Sequence, residues 1–515
     1  MNPRRVCAGL ALLVAALLTA CGRVTTLQRK LVDPAAVTTI DRRLPFLKAH
    51  LRQGHVVVLS RWEVDTTGGA VVGDGERLDV NRQVVGAGAQ RIPLDSVALF
   101  ETNVVLTHGS VAALGVVTGA SLALTAYCLT NTKACFGSCP TFYVSDGRGE
   151  VLHAEGFSAS VAPALEATDV DALYLAKPRG GTFEVRMTNE ALETHVVRFV
   201  RLLAAPRPDS GRVFATGRHE FWQARDVAPP TRCRGAEGDC LPALRQVDGV
   251  ERFTTTDSTD LATREVIELE FESIPPGSAG LVIASRQTLL STYLLYQALA
   301  YMGRSAGAWL AQLERADARA RDQASSVARV LGSIEVQAQA PGGEWLTVGE
   351  TQETGPLATD VRVVPLPRLP AGARHLRLRL TRGHWRIDHV AIARLTKRVE
   401  PLRLEPVAVR HGRALDPGAL ALLTDSARTL VTLPGDEYTL VYALPTDFAR
   451  RELFLEARGY YLEWMREEWL AEESPMRAAR LFLDPAGAMR ELAPAFKRLE
   501  PEMESTFWRS KYVRP

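Results

Sequence analysis

The sequence predicts an α+β chain of several domains in which β structure dominates. Three observations lead there. The chain has 515 residues, 46% hydrophobic and 23% charged, the balance of a folded protein too long for one small core. Short runs with two-residue alternation, separated by glycine and proline, recur along most of its length. Helical periodicity is confined to a few segments, chiefly 288–331 and the C-terminal stretch.

The N-terminus is a different kind of segment. Arg4 and Arg5 precede an uncharged run from Val6 to Leu18, and small residues lead into Cys21. A positive start, a short apolar run and a small-residue exit make a secretory signal over 1–20, too short to be a comfortable membrane span. The string Leu18-Thr19-Ala20-Cys21 resembles the lipobox of bacterial lipoproteins. That resemblance implies cleavage before Cys21 and lipidation of its thiol. It also implies an outer-membrane address, because Gly22 and not Asp follows the cysteine. Each buried acyl CH₂ contributes roughly 0.8 kcal/mol, so two or three chains hold a protein on a bilayer. Residues 21–40, polar and threonine-rich with Pro34, read as a tether.

From 41 to 103 the pattern predicts a small, barrel-like β unit. His55–Trp62, Ala70–Val80 and Arg91–Glu101 read as strands, and Gly68-Gly69 separates the first two. From Asn103 to Thr132 no residue is formally charged, and Gly115 and Gly119 have the spacing that lets helices approach closely. Segment 104–132 is expected as a buried or membrane-apposed helix or hairpin.

Residues 133–205 form a module opened by Lys133-Ala-Cys-Phe-Gly-Ser-Cys-Pro-Thr-Phe-Tyr-Val144. Cys135 with Cys139, and Cys233 with Cys240, are sequence-close candidates for disulfides in an exported chain; Cys128 competes for the first pair, and connectivity stays open. The string resembles a bacterial domain of unknown function with the signature Cys-Phe-Gly-x-Cys-Pro-x-Tyr, matched here at Cys135, Phe136, Gly137, Cys139 and Pro140. The resemblance implies a β-hairpin and no activity. Asp146-Gly147 supplies the turn, and Val151–Phe157 the return strand. Asp169 and Asp171 read as helix-capping residues. Leu192, Val196, Phe199, Val200 and Leu203 share one face of a predicted helix.

Segment 206–274 reads as β, and 275–331 as a helical hairpin whose first arm, Thr288–Met302, is apolar nearly all round and therefore buried. Segment 332–396 predicts a β-sandwich: Ile334, Val336 and Ala338 alternate with Glu335, Gln337 and Gln339. There His375, Arg377 and Arg379 alternate with leucines and form a candidate anion-binding strand. Segment 397–515 predicts a strand at Tyr438–Leu444 and aromatic helices. One lies within 452–473, with Leu462, Met465 and Trp469 on a face; one starts at Asp484-Pro485; another starts at Glu500-Pro501.

Net charge is +2, so no overall field favours nucleic acid. No nucleophile elbow, zinc-binding histidine pair, phosphate loop or dinucleotide fingerprint occurs. No catalytic residue, metal ligand or cofactor is nominated. The expectation is a lipid-anchored cell-envelope protein, a scaffold or binding protein touching the membrane, other envelope proteins or cell-wall material. The second reading is a hydrolase acting on envelope glycans.

Overall fold

Alternating residues with one buried face build the first of two compact units. The computed structural model describes residues 24–44, 46–79, 84–108, 139–178, 180–303, 306, 326–351, 355–463 and 472–509. The signal, Cys21, most of 104–132, Cys128, Cys135, Met465 and Trp469 lie outside them.

In the first unit six strands, β1 (Val24–Val32), β2 (Leu47–Leu51), β3 (Val56–Asp65), β4 (Ala70–Leu78), β5 (Val84–Pro93) and β6 (Val97–His108), make one antiparallel sheet. Their order is β1-β6-β2-β3-β4-β5. Leu47, Leu59, Val71 and Phe100 centre its core, beside a buried His50–Glu101 pair at 2.8 Å. Among the described residues the expected barrel-like closure is not seen: the sheet is a path that ends on β1 and β5. The physical reason lies in β5, where glycine and alanine alternate and the outer half is exposed, leaving little apolar surface to close upon. In β4, a Cβ on Gly73 or Gly75 would lie 2.2 or 2.0 Å from the backbone oxygens of Arg61 and Val58. Only glycine permits that approach, next to the irregularity between Leu59 and Arg61. β6 extends to His108, so the start of 104–132 is strand, not helix.

In the second unit the chain lays down strands, leaves them, and returns. First come β7 (Thr141–Ser145), β8 (Glu150–Glu155), β9 (Ala167–Ala172), β10 (Thr182–Thr188) and β11 (Glu193–Pro206). The excursion begins with β12 (Arg212–Ala215), β13 (Phe221–Ala228), β14 (Arg232–Gly235), β15 (Gly238–Asp239), β16 (Arg264–Glu270) and β17 (Ala279–Gln287). Helices α1 (Leu290–Met302) and α2 (Ser326–Leu331) follow. Then come β18 (Glu335–Gln339), β19 (Trp345–Glu350), β20 (Asp360–Pro365), β21 (His375–Thr381) and β22 (Trp385–Val399). The return supplies β23 (Leu402–Leu404), β24 (Ala408–His411), β25 (Ala414–Leu415), α3 (Pro417–Thr424), β26 (Leu430–Thr432), β27 (Glu437–Ala443) and β28 (Arg451–Glu463). Helices α4 (Pro475–Leu483) and α5 (Pro485–Arg509) come last.

The first and last groups make a sandwich. One sheet runs β25-β24-β27-β10-β7-β8; the other runs β23-β11-β28-β9, with β26 also on β11. Phe142, Val185, Val197, Leu202, Leu440 and Leu455 pack between them. The excursion makes a closed barrel, β12-β13-β22-β17-β20, and a sheet, β15-β14-β16-β21-β18-β19. Ile267, Leu376 and Leu378 of that sheet pack against Leu281, Ile283 and Val390 on the barrel. The alternate barrel positions, among them Val282, Ala284, Ala391 and Ala393, form a second cluster that includes Val170, Leu203 and Phe454 of the sandwich. Small residues suit the narrow interior of five strands. β17, covered on both faces, is buried at every position.

Several expectations change. The expected helix over Leu192–Leu203 is, from Glu193 on, strand β11, and 452–463 is strand β28. Both are buried on both faces, so their apolar runs lack period two, and β-branched Val196, Val197 and Val200 favour the extended form. Asp169 and Asp171 lie on β9 and cap no helix. The expected helical hairpin 275–331 contains β17. Segment 133–205 is not a self-contained module, since 402–463 completes its sheets, and 206–274 and 332–396 share the barrel and sheet. Glu500-Pro501 starts no new helix: α5 runs on through Pro494 and Pro501. Its predicted start stands, with Asp484 Oδ1 accepting from Gly487 N at 2.9 Å.

Candidate functional site

Strand alternation places the predicted anion-binding residues together. His375, Arg377 and Arg379 share the outward face of β21. Register then decides their surroundings. β16 sets Glu270 and Glu268 beside His375 and Arg377, and β18 sets Gln337 and Glu335 beside Arg377 and Arg379. Arg379 Nη1 reaches Glu335 Oε1 at 2.9 Å. Arg377 Nε donates to Gln337 Oε1 at 2.6 Å, and its guanidinium stacks over Trp345 at 4.4 Å. The column is therefore one rung of a charge ladder, with its arginines already engaged.

Of the cysteines, Cys233 and Cys240 form a disulfide at the β14–β15 hairpin. The expected Cys135–Cys139 bridge is not present: Cys139 keeps a free, buried thiol. At φ 41° its backbone turns the side chain inward, and Sγ lies 3.9 Å from Ser158 O. Burial and the neighbouring Glu155 push that thiol well above its usual pKa, so it is an inert, protonated sulfur.

Sequence reasoning missed the polar groups inside the sandwich. Glu193 and His195 alternate on β11 and face the core with Tyr461 and Glu463 of β28, their register partners. His195 Nε2 and Glu193 Oε1 are 2.7 Å apart. Burial holds the imidazole down to about 3, so it is neutral. Tyr461 donates to Ser158 O at 3.0 Å, and Tyr296 of α1 donates to Glu463 at 2.5 Å. Glu155, at the end of β8, accepts from Leu357 N at 2.7 Å, and burial pushes it up to about 8. In sequence, Glu193-x-His195 looks like ordinary surface alternation. Only the second sheet makes it interior.

A second polar seam joins sandwich to barrel. Asp360 accepts from Ala172 N at 2.9 Å and pairs with Arg362 at 2.5 Å; Arg362 also reaches Asp169 at 3.3 Å. Burial, then Asp169 and Asp360, push the Asp171 carboxyl well up. A third tie fixes α5. Arg386 meets Glu504 at 2.5 Å, and Arg286 contacts both Glu504 and Glu251. Glu500 accepts from Thr256 N at 2.6 Å.

Among the described residues, no three histidine, cysteine, aspartate or glutamate side chains gather as a metal site would require. No protein-family model matches the chain, and no curated protein does. The chemistry of its own surfaces must therefore carry any functional reading.

Proposed function

We propose that this is a lipid-anchored protein of the cell envelope that works by binding, as a scaffold for another envelope component. The Cys21 lipobox resemblance supports the anchor. The placement of polar groups supports binding over catalysis: Glu155, Glu193 and His195, the residue types suited to proton transfer, are spent on internal contacts at full burial.

The observation that carries the binding reading is the edge of the first sheet. Among the described residues β5 ends that sheet, and its first seven residues, Val84–Gln90, contain no charged residue and no proline, with Arg91 and Pro93 following at its far end. Val84 and Val85 are 56% and 57% exposed. An edge strand presents a row of backbone N–H and C=O groups, and proteins ordinarily guard it with charge, proline or a covering element. An unguarded edge suits strand addition by an extended segment of another protein, with backbone hydrogen bonds giving affinity.

A photo-crosslinking residue at Val85, activated in intact cells, tests this. The expected product is a crosslink to one heterologous envelope protein, lost when Ala87→Lys and Ala89→Lys guard the edge. Gly88, at φ +102°, is left unchanged. Crosslinks that persist in the lysine variant, or none at all, reject the strand-addition reading. Separately, radiolabelled palmitate should enter the chain and not its Cys21→Ala variant.

A further inference from the structure

The outward face of the β15-β14-β16-β21-β18-β19 sheet holds an open cleft of about 560 Å³. Arg234 of β14, Arg264 of β16 and Arg382 of the β21–β22 turn line it, with Thr263, Glu265 and Glu268. We infer that this cleft binds a phosphate group carried on a larger molecule, with Arg234, Arg264 and Arg382 as its cationic clamp.

Around this cleft arginines are ordinarily paired with carboxylates. On the same sheet Arg379 pairs with Glu335 and Arg232 lies 3.7 Å from Glu270, and beside it the buried Arg252 takes both Glu237 and Glu265. Among the described residues, Arg234, Arg264 and Arg382 have no carboxylate within ion-pair distance. Two carboxylates line the cleft, and one is spent: Glu265 accepts from Arg252 Nη1 at 2.8 Å and from Thr254 at 2.6 Å. Glu268, the register neighbour of both Arg234 and Arg377, is the other carboxylate of the lining, while Glu335 and Asp257 act on Arg264 and Arg382 only from outside it.

The three arginines are also held. Arg382 Nε donates to Thr255 O at 2.9 Å, which fixes its stem and leaves the outer nitrogens free to bond. Arg264 Nη2 donates to Val330 O at 3.2 Å beneath Gly332, where a Cβ would lie 2.4 Å from that nitrogen. Its Nη1 is buried with no hydrogen-bond partner. Both outer nitrogens of Arg264 lie against Gly332, 2.4 and 3.0 Å from where its Cβ would be, so this arginine adds positive charge at the wall of the cleft, and Arg234 and Arg382 supply the donors that an anion in it would meet. Guanidinium forks match the oxygens of phosphate, and three around one group suit a phosphate better than a single carboxylate. The open cleft leaves room beside the phosphate for the body that carries it, either a soluble phosphorylated compound or a lipid headgroup. The neighbouring Arg377 and Arg379 column, already engaged by Gln337 and Glu335, lies outside the clamp and serves as its control.

The test uses the full chain at low salt. Inorganic phosphate is titrated by calorimetry, and flotation is followed with phosphatidylcholine vesicles with and without phosphatidylglycerol. Wild type should bind phosphate saturably. Arg234→Gln with Arg382→Gln should weaken binding about tenfold or more, since hydrogen bonds to charged groups are the strong ones. Arg377→Gln with Arg379→Gln should leave it unchanged, and Glu268→Gln should tighten it. Because an acylated Cys21 would float the full chain on any vesicle, the readout is the excess with phosphatidylglycerol over phosphatidylcholine alone: an excess lost in the clamp variant only assigns a lipid headgroup, and phosphate binding without an excess assigns a soluble phosphate compound. No saturable binding to either probe, or equal loss in the control pair, overturns the proposal. The Glu268→Gln gain provides a readout that a misfolded variant cannot imitate.

Discussion

The two long antiparallel pairs β11–β28 and β4–β5 have the same hydrogen-bonded geometry and opposite surroundings. β11 and β28 are covered on both faces, and their inward side carries Val197, Leu202 and Leu455 together with the Glu193–His195 pair. The outer half of β4–β5 stands in solvent, with glycine and alanine where the other pair has valine and leucine. What separates the two is therefore coverage, not strand length. A covered pair can bear polar groups in its interior only if they find partners there. An uncovered one is free to offer its backbone elsewhere.

A rise in pH should break that contrast most strongly. Glu155 in the sandwich stays protonated up to about pH 8, whereas in the unfolded chain it ionises near its usual 4.5. Because the folded pKa is raised, stability is full below the unfolded value and declines as pH rises through the folded one. The loss approaches about 4 kcal/mol by pH 8. Urea melts across that window should show the decline, and Glu155→Gln should flatten it. On the acid side, His195 and His153 titrate in the folded state near 3 and 4, so stability should fall as pH drops below their usual 6.5.

Next in size is Leu455→Ala, which opens a cavity in the buried ribbon and should cost about 3 kcal/mol in chemical denaturation. Reduction of Cys233–Cys240 gives an intermediate case. The β14–β15 hairpin is short and is secured by a bond, so Cys233→Ser with Cys240→Ser should cost about 2 kcal/mol and loosen hydrogen exchange there first. Smallest is Val85→Ala on the exposed edge, expected to change stability by less than about 0.5 kcal/mol. A large loss there would show that the edge is structural after all.

What could be read from the sequence followed the same line of coverage. Half-covered strands announced themselves: alternation marked β18, β21 and β27, and all-round apolarity marked α1. Doubly covered strands did not. In β11 the spacing of Leu192, Val196, Phe199, Val200 and Leu203 coincides with a helical face, and only the partner strand reveals which period is meant. The partner was beyond reach of local reasoning, since Glu193 pairs with Glu463 across the entire excursion. The basic column was found on the right face of the right strand, but its neutralisation by β16 and β18 is a matter of register. The clamp of Arg234, Arg264 and Arg382 draws on three elements and leaves no mark in any one of them.

The return of the chain to its first sandwich has a kinetic consequence. A polypeptide that emerges from its N-terminal end exposes β11 long before β28 exists to cover it. Barrel strands β12–β22 can pair among themselves meanwhile, so the inserted part should acquire order first. Closure of the sandwich is deferred until Glu463 is free, and throughout that interval a long apolar strand must be shielded from neighbouring molecules.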